Sequence, residues 1–314
     1  MYLNGFLVSS PRAATASKDL DPTNNMELIM SARGLPAIVR LVLASAALLV
    51  CSGLTACADR PPTAPEDFQV LAGFIYEHMN DSDPAVLVAG VENAMVWLAA
   101  HPTQTQAGYT VDDLPKKAQV DLGDKPTKQL IGGAVLTGSD HSLYNLARAI
   151  SIDNVRETNG DAYTKLVRTY DGDPECFAAK QCLSLTGTSQ SEADFGPITV
   201  KYSSRLEFRW VKTKFGWVLV HRTFLTKPAQ IDLDIIDVDR TYFLALVTPE
   251  LPDSPGVQGT INGQSTMLQV MWSKVDYGIL PVTEATALNM VIDSMLDIAV
   301  ATEKWMDGAY GKPD

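Results

Sequence analysis

Apolar side chains recur at helical spacing in two neighbouring segments of residues 67–104. In each segment they return every three or four positions, as one face of a helix requires. Between the segments, Asp83 and Pro84 suit an N-cap and a first helical turn, and Pro102 suits a helix end. The pattern predicts a helical hairpin, whose apolar positions are Phe68, Leu71, Ala72, Ile75 and Met79, then Leu87, Val88, Val91, Met95 and Leu98.

Further along the chain the apolar pattern alternates instead, which is typical of half-buried strands. A short helix, capped by Ser139 or Asp140 and running to Ile150, is expected after the first strand. Asn262-Gly263 is a strong hairpin signal before the last one. We predict strands at residues 130–136, 198–202, 206–210, 217–225, 242–247 and 267–275.

A final helical stripe runs from about Thr283 to Met306, with Gly308 just beyond its predicted end. An antiparallel sheet needs a cover for its apolar face, and this helix has the stripe to provide one. The sequence therefore predicts an α+β domain over residues 105–308. In it an antiparallel sheet packs on a long C-terminal helix, and the helical pair precedes the domain.

This order of elements is similar to the helix-grip fold of START-like lipid-transfer proteins. In that family a curved sheet wraps a long C-terminal helix, and the space between them holds an apolar ligand. The resemblance covers roughly residues 105–306 and carries no sequence motif. It implies a fold and a ligand class, and it assigns no site residue.

The first 56 residues have the features of an export leader. Residues 41–50 read LVLASAALLV, follow Arg33 and Arg40, and precede small residues, which is typical of a secretory signal. The run is shorter than the roughly 20 apolar residues of a membrane span. Extended to Ala58 it is nearly long enough, so an uncleaved anchor is the alternative. We expect translation to start at Met30, with a long natural leader as the other possibility.

The leader ends in Leu54-Thr55-Ala56-Cys57, which resembles the lipobox of bacterial lipoproteins. The resemblance implies a diacylglyceryl group on the thiol of Cys57, cleavage before that residue, and acylation of the new amine. Two or three acyl chains hold a protein firmly on a membrane. Residues 57–66 then form the lipidated cysteine and a Pro-rich tether. With Ala58 next, we expect a cell-envelope protein, anchored in the outer membrane and facing the periplasm.

The excess of acidic over basic residues narrows the kinds of partner that the protein can bind. The chain has 25 Lys and Arg against 37 Asp and Glu, a net charge of −12. Since four basic and three acidic residues precede residue 57, the remainder has a net charge of −13. Nucleic acid and anionic headgroups repel such a body. We expect no nucleic-acid partner and interpret the acidity as an aid to solubility.

Two cysteines remain beyond the leader and the lipid site. Cys176 and Cys182 form an even pair in an exported chain, which predicts a disulfide. Because the loop is short, its stabilisation should be about 2 kcal/mol. A zinc site is the rival interpretation, but two cysteines with no nearby histidine fall short of four ligands. We therefore expect no metal and no cofactor.

The candidate catalytic residues do not match a known catalytic motif. The four histidines are scattered, and the adjacent Ser139-Asp140-His141 does not have the spatial geometry of a triad. An acidic run at residues 231–239 favours a charged edge strand over a calcium site. The residues concerned are His78, His101, His141 and His221, then Asp232, Asp234, Asp237 and Asp239.

Two function classes fit these observations. The first is a non-catalytic module that binds a lipid or other apolar molecule, because ligand sites are usually apolar clefts with few polar groups. The second is a structural or assembly lipoprotein that acts through an envelope protein partner. A hydrolase with an unrecognised site is a third hypothesis. The candidate ligand-lining side chains, which also suit a plain core, are Leu206, Phe208, Trp210 and Trp272.

Overall fold

The computed structural model describes residues 63–101, 108–122, 130–152, 155–195, 198–232, 236–249, 265–278 and 281–311. Residues 61–314 form one compact unit. The leader, Met30 and Cys57 lie outside the described residues, as do Asp234 and the Asn262-Gly263 turn. The export and lipidation predictions therefore stay predictions.

Two N-terminal helices form the predicted hairpin. The carboxylate of Asp67 accepts from Gln69 N at 3.0 Å, and that of Asp83 accepts from Ala85 N at 2.9 Å, so each caps a helix. Pro84 occupies the first turn of the second helix, as predicted. In chain order the helices are α1 (Phe68–Glu77), α2 (Pro84–Ala100), α3 (Leu143–Ser151), α4 (Val155–Thr158), α5 (Pro174–Ala178) and α6 (Glu284–Tyr310).

The described strands form one antiparallel sheet in the order β1-β2-β9-β8-β6-β5-β4-β3, with β7 pairing with β5 outside that path. The prediction of an α+β fold with an antiparallel sheet and a long C-terminal helix is confirmed. The strands are β1 (Tyr109–Val111), β2 (Ile131–Ser139), β3 (Lys165–Tyr170), β4 (Ser184–Phe195), β5 (Ile198–Thr213), β6 (Gly216–Leu225), β7 (Gln230–Ile231), β8 (Asp237–Pro249) and β9 (Ser265–Asp276).

Both faces of this sheet carry apolar side chains, because alternate residues of a strand point to opposite sides. We call the side that packs on α1 and α2 the hairpin face; it includes Val218, Val220, Leu244, Leu246, Val270 and Trp272. We call the other side the terminal-helix face; it includes Leu206, Phe208, Trp210, Leu219, Val247 and Met267, and it packs with Met306 of α6.

The terminal helix packs on β2, where Gly133 allows a close approach. A Cβ at Gly133 would lie 2.9 Å from Leu288 Cδ1. Helix α6 is long and apolar enough to cross a membrane. In its most apolar stretch of 18 residues, 17% of the residues are buried in this fold. The predicted end at Met306, before Gly308, is wrong. The helix continues to Tyr310, and Gly311 follows it with a φ of +81°.

Other local predictions need correction. Helix α3 is capped by Ser142, whose Oγ accepts from Asn145 N at 3.3 Å, rather than by Ser139 or Asp140. Ser139 instead ends β2. The acidic run is not one edge strand, because β7 pairs with β5 while β8, from Asp237 on, pairs with β9. Strands β3 and β4 and helix α5 were not predicted.

Candidate ligand-binding site

A cavity of about 60 Å³ lies between the terminal-helix face of the sheet and the helices that cover it. Five apolar residues line it: Ile150, Phe243, Ala245, Met267 and Ile298. The polar lining includes Arg168 from β3, His221 from β6, Gln269 from β9 and Thr302 from α6. A volume of this size holds a few water molecules. Sites for small ligands typically enclose about 300–1,000 Å³.

Arg168 brings a permanent positive charge to the cavity wall. One end of its guanidinium, Nη1, donates to the carbonyl of Ile150 at 2.6 Å, close to the end of α3. Its Nε is buried and has no hydrogen-bond partner. The group also lies 5.8 Å from the ring of Phe208. In the described part of the chain, no carboxylate forms an ion pair with it.

His221 lies beside Arg168 and is fully enclosed. Its ring stacks on Phe208 at 4.1 Å between centroids, and its Nε2 is 2.8 Å from Thr223 Oγ1. Burial lowers the pKa of His221 well below its usual value, and the charge of Arg168 lowers it further. The imidazole is therefore neutral at pH 7 and adds no charge to the site.

Polar contacts join α6 to this part of the fold. Gln269 Nε2 donates to the carbonyl of Met295 at 3.2 Å. Thr302 Oγ1 lies 2.9 Å from the carbonyl of Thr158 and 2.8 Å from that of Ile298. Since one hydroxyl proton serves two carbonyls, this contact can rearrange at low cost if α6 moves.

The four predicted lining residues do not come together. Leu206, Phe208 and Trp210 lie on the terminal-helix face, whereas Trp272 lies on the hairpin face, where its Nε1 donates to the carbonyl of Asp112 at 2.9 Å. The prediction that these four residues line one site is wrong, because Trp272 points to the opposite side of the sheet. None of the four lines the described cavity, although Phe208 backs His221.

The disulfide between Cys176 and Cys182 is confirmed, with Cα atoms 5.3 Å apart. It links Cys176 in α5 to Cys182, which follows that helix. Phe177, also in α5, is 1% exposed, and its carbonyl accepts a hydrogen bond from Trp210 Nε1 at 3.0 Å. The disulfide and this hydrogen bond therefore hold Phe177 in the core beneath the terminal-helix face.

The remaining histidines have structural partners. His78 Nδ1 lies 2.9 Å from Asp81 Oδ2. His101 follows α2 as its C-cap residue, stacks on Trp97, and donates its backbone N–H to Leu98 O.

His141 belongs to an ion-pair cluster on α6 and not to a triad. Its Nε2 lies 3.2 Å from Asp307 Oδ1 and 3.9 Å from Glu303 Oε1. Ser139 Oγ accepts from the backbone N–H of His141, and Asp140 N donates to Glu303. The donor atoms of His141, Glu303 and Asp307 lie within 4.8 Å of one another. This cluster attaches the end of α6 to the loop that follows β2.

Of the acidic run, Asp239 is buried in β8, next to a register shift between Val238 and Arg240. Asp237 is exposed and pairs in register with Asp276. Asp232 is exposed and follows β7. The described members of the run therefore lie in β8 and in the segment just after β7.

Sequence reasoning missed Arg168 because it missed β3. A signal was present: in Lys165–Tyr170 the residues alternate between exposed and half-buried. Arg168 takes a half-buried position of that strand. A cationic residue at an inward position of a short edge strand looks like an ordinary surface charge in the sequence.

Comparison with known proteins gives structural neighbours but no sequence relatives. No family profile matches the chain, and no curated protein matches it. A STAR-related lipid transfer protein from Xanthomonas axonopodis is 9% identical, with a TM-score of 0.37, over 63% of this chain and 98% of that one. Human StAR-related lipid transfer protein 5 is 8% identical, with a TM-score of 0.35, over 71% and 98%.

A START superfamily protein from Mycobacterium smegmatis is 14% identical, with a TM-score of 0.31, over 57% of this chain and 98% of that one. All three names belong to the group that the element order resembles. Because the TM-scores lie below 0.5, the fold assignment rests on the strand order and terminal helix described above.

Proposed function

We propose that this chain is an envelope lipoprotein whose α+β domain binds a lipid or other apolar molecule between the sheet and α6. The observation that carries the proposal is the cavity at this interface. Its walls come from β3, β6, β8, β9, α3, α4 and α6, and its lining combines five apolar residues with six polar ones. Small-ligand sites likewise combine apolar walls with polar groups that fix the orientation of the ligand.

Ligand entry requires the cavity to grow, because about 60 Å³ is too small for a lipid tail. Helix α6 is the element suited to move. Of its 27 residues only Ala287, Met295, Thr302 and Met306 are fully buried. A helix with so few buried side chains loses little contact when it shifts, so binding energy from an apolar ligand can offset the displacement.

Native mass spectrometry of purified protein, before and after unfolding and refolding, tests binding. We expect a non-covalent apolar adduct that unfolding removes and that an added apolar probe, 1-dodecanol, restores. Ala245→Val narrows the cavity and should weaken probe binding at least fivefold. Ala134→Val is the matched control, because Ala134 is a buried strand alanine on the hairpin face. A folded protein that never takes up the probe would refute the proposal.

Membrane anchoring is a separate part of the proposal and rests on the lipobox-like Leu54–Cys57. Intact-mass and peptide analysis of protein from membranes should show an N-terminal Cys57 that carries acyl chains. Cys57→Ser should release the protein into the soluble fraction. An N-terminus upstream of Cys57, or a Cys57 thiol without a lipid, would show that the protein is not anchored through this cysteine.

The alternative is an assembly lipoprotein that works through a protein partner. Exposed apolar side chains on α6 favour it, since Met290 is 54% and Val300 69% exposed. A photo-crosslinker placed at Val300 should then capture one envelope protein in cells. The binding proposal predicts no specific crosslink there, together with probe uptake in vitro.

A further inference from the structure

A half-buried cation, Arg168, lines the cavity, and no described carboxylate forms an ion pair with it. Arg168 stays charged at any physiological pH, and its Nε is buried without an acceptor. A charged group enclosed in protein normally has a partner of opposite charge or a full set of hydrogen bonds. Among the described residues, the guanidinium donates to the carbonyl of Ile150.

The neighbouring groups cannot neutralise this charge. His221 lies beside it with a neutral ring, because burial and Arg168 both lower its pKa. Gln269 and Thr302 use their side chains on carbonyls of the surrounding helices. Among the described residues that line the cavity there is no carboxylate. No group of opposite charge is therefore available to Arg168 in the described lining of the cavity, so an anionic ligand would supply one.

The rest of the wall indicates what kind of molecule would supply that acceptor. Phe243, Ala245, Met267 and Ile298 present apolar surface next to the guanidinium. We propose that the ligand is an amphiphile with an oxyanion headgroup, which binds at Arg168 with its apolar tail directed between the sheet and α6. This inference rests on the proposed function and specifies its ligand.

Guanidinium groups suit carboxylates and phosphates, because their N–H donors match two oxygens of such a group. The net charge of the protein argues against anion binding by general electrostatic attraction. Beyond residue 57 the chain has a net charge of −13, so its exterior repels anions. A preference for an anionic ligand would therefore come from a local cation and not from the general field.

Calorimetry with three probes of equal chain length tests the proposal: dodecanoate, dodecyl phosphate and 1-dodecanol, all at pH 8. We expect at least one anionic probe to bind about tenfold or more tightly than the alcohol. Charge-assisted hydrogen bonds are strong enough for such a ratio. The tighter of the two anions identifies the headgroup. Equal affinity for all three probes would overturn the inference while leaving apolar binding intact.

Variants locate the preference within the protein. Arg168→Gln should reduce the anion-to-alcohol ratio to about one, and Arg168→Lys should keep part of it. Arg205→Gln is the matched control, because Arg205 lies on β5 and pairs with Asp171 at 2.7 Å. It should leave the ratio unchanged. A ratio that survives in Arg168→Gln would overturn the assignment.

The wild-type ratio decides the matter even if Arg168→Gln does not fold. Binding of none of the probes would refute the proposed function itself. That outcome differs from equal binding of all three, so failure of the ligand class and failure of the binding function are distinguishable.

Discussion

The two faces of the sheet are packed in different ways. On the hairpin face, Tyr76 and Trp272 meet edge to face at 5.8 Å, and Tyr76 meets Tyr242 at the same distance. All three rings are at most 1% exposed. The terminal-helix face instead contains a cavity with Arg168 and His221 in its wall. The hairpin face is packed with aromatic rings, whereas the terminal-helix face borders a cavity beneath a helix.

Polar contacts follow the same division. The end of α1 is fixed to the sheet by Arg222 and Arg209, which donate to the carbonyls of Tyr76 and Met79, each at 2.7 Å. Arg222 also pairs with Glu207 at 2.5 Å. Each of these cations has its acceptor, whereas Arg168 Nε has none. The hairpin face is therefore held by paired polar groups and packed rings, and the terminal-helix face is the one at which we propose ligand binding.

The largest expected effect is on the hairpin face. Trp272→Ala should lower the free energy of unfolding by about 3–5 kcal/mol, because it removes a fully buried aromatic ring and leaves a cavity. Phe243→Ala, on the cavity wall, should cost less than half as much, since that side chain already borders empty space. Urea denaturation measures both. Equal losses would contradict the division between the faces.

Removal of the disulfide should have a smaller effect. The double variant Cys176→Ser/Cys182→Ser should lose about 2 kcal/mol, since the bond constrains only a short loop in the unfolded chain. The same denaturation curves with and without reductant measure it. A reductant effect that persists in the double variant would show that this bond is not its source.

His221 should make stability depend on pH. Its pKa in the folded protein is lower than the value near 6.5 in the unfolded chain. Below about pH 6.5 the unfolded chain takes up a proton that the folded protein refuses, so stability falls as the pH falls. The slope from this one group can reach at most about 1.4 kcal/mol per pH unit, well below pH 6.5. His221→Gln should reduce the slope of unfolding free energy between pH 5 and 6.5; an unchanged slope would contradict the burial of a neutral ring.

The smallest effect concerns the outer side of α6. Met290→Ser and Val300→Ser should change stability by less than about 0.5 kcal/mol, because both side chains are largely exposed. Thermal unfolding measures this. A loss of several degrees would indicate that these residues are covered in the folded protein.

Much of the scaffold was predictable from the sequence because strong periodicity coincides with burial. The stripes of α1 and α2 and the alternation of Leu206, Phe208 and Trp210 in β5 reflect faces that are buried in the structure, and the stripe of α6 marks the partly buried side of that helix. Strand β4 was missed because its residues, SLTGTSQSEADF, are mostly polar or small, and it is held by pairing with β3 and β5.

The candidate site was less predictable. Trp210 and Trp272 share an apolar character, but which face each occupies depends on the register of its strand, which the sequence pattern does not reveal. Arg168 and His221 are far apart in the chain and meet only through the sheet. The disulfide was predictable because Cys176 and Cys182 are close in sequence and were the one pair left beyond the lipid site.

A crystal structure of the purified protein grown with the tighter-binding anionic probe, dodecanoate or dodecyl phosphate, tests the central claim most directly. The account predicts the anionic headgroup within hydrogen-bond distance of Arg168, a tail between Met267 and Ile298, and α6 displaced from the sheet to make room. That probe bound only on the outer surface, with α6 and the cavity unchanged, would contradict it.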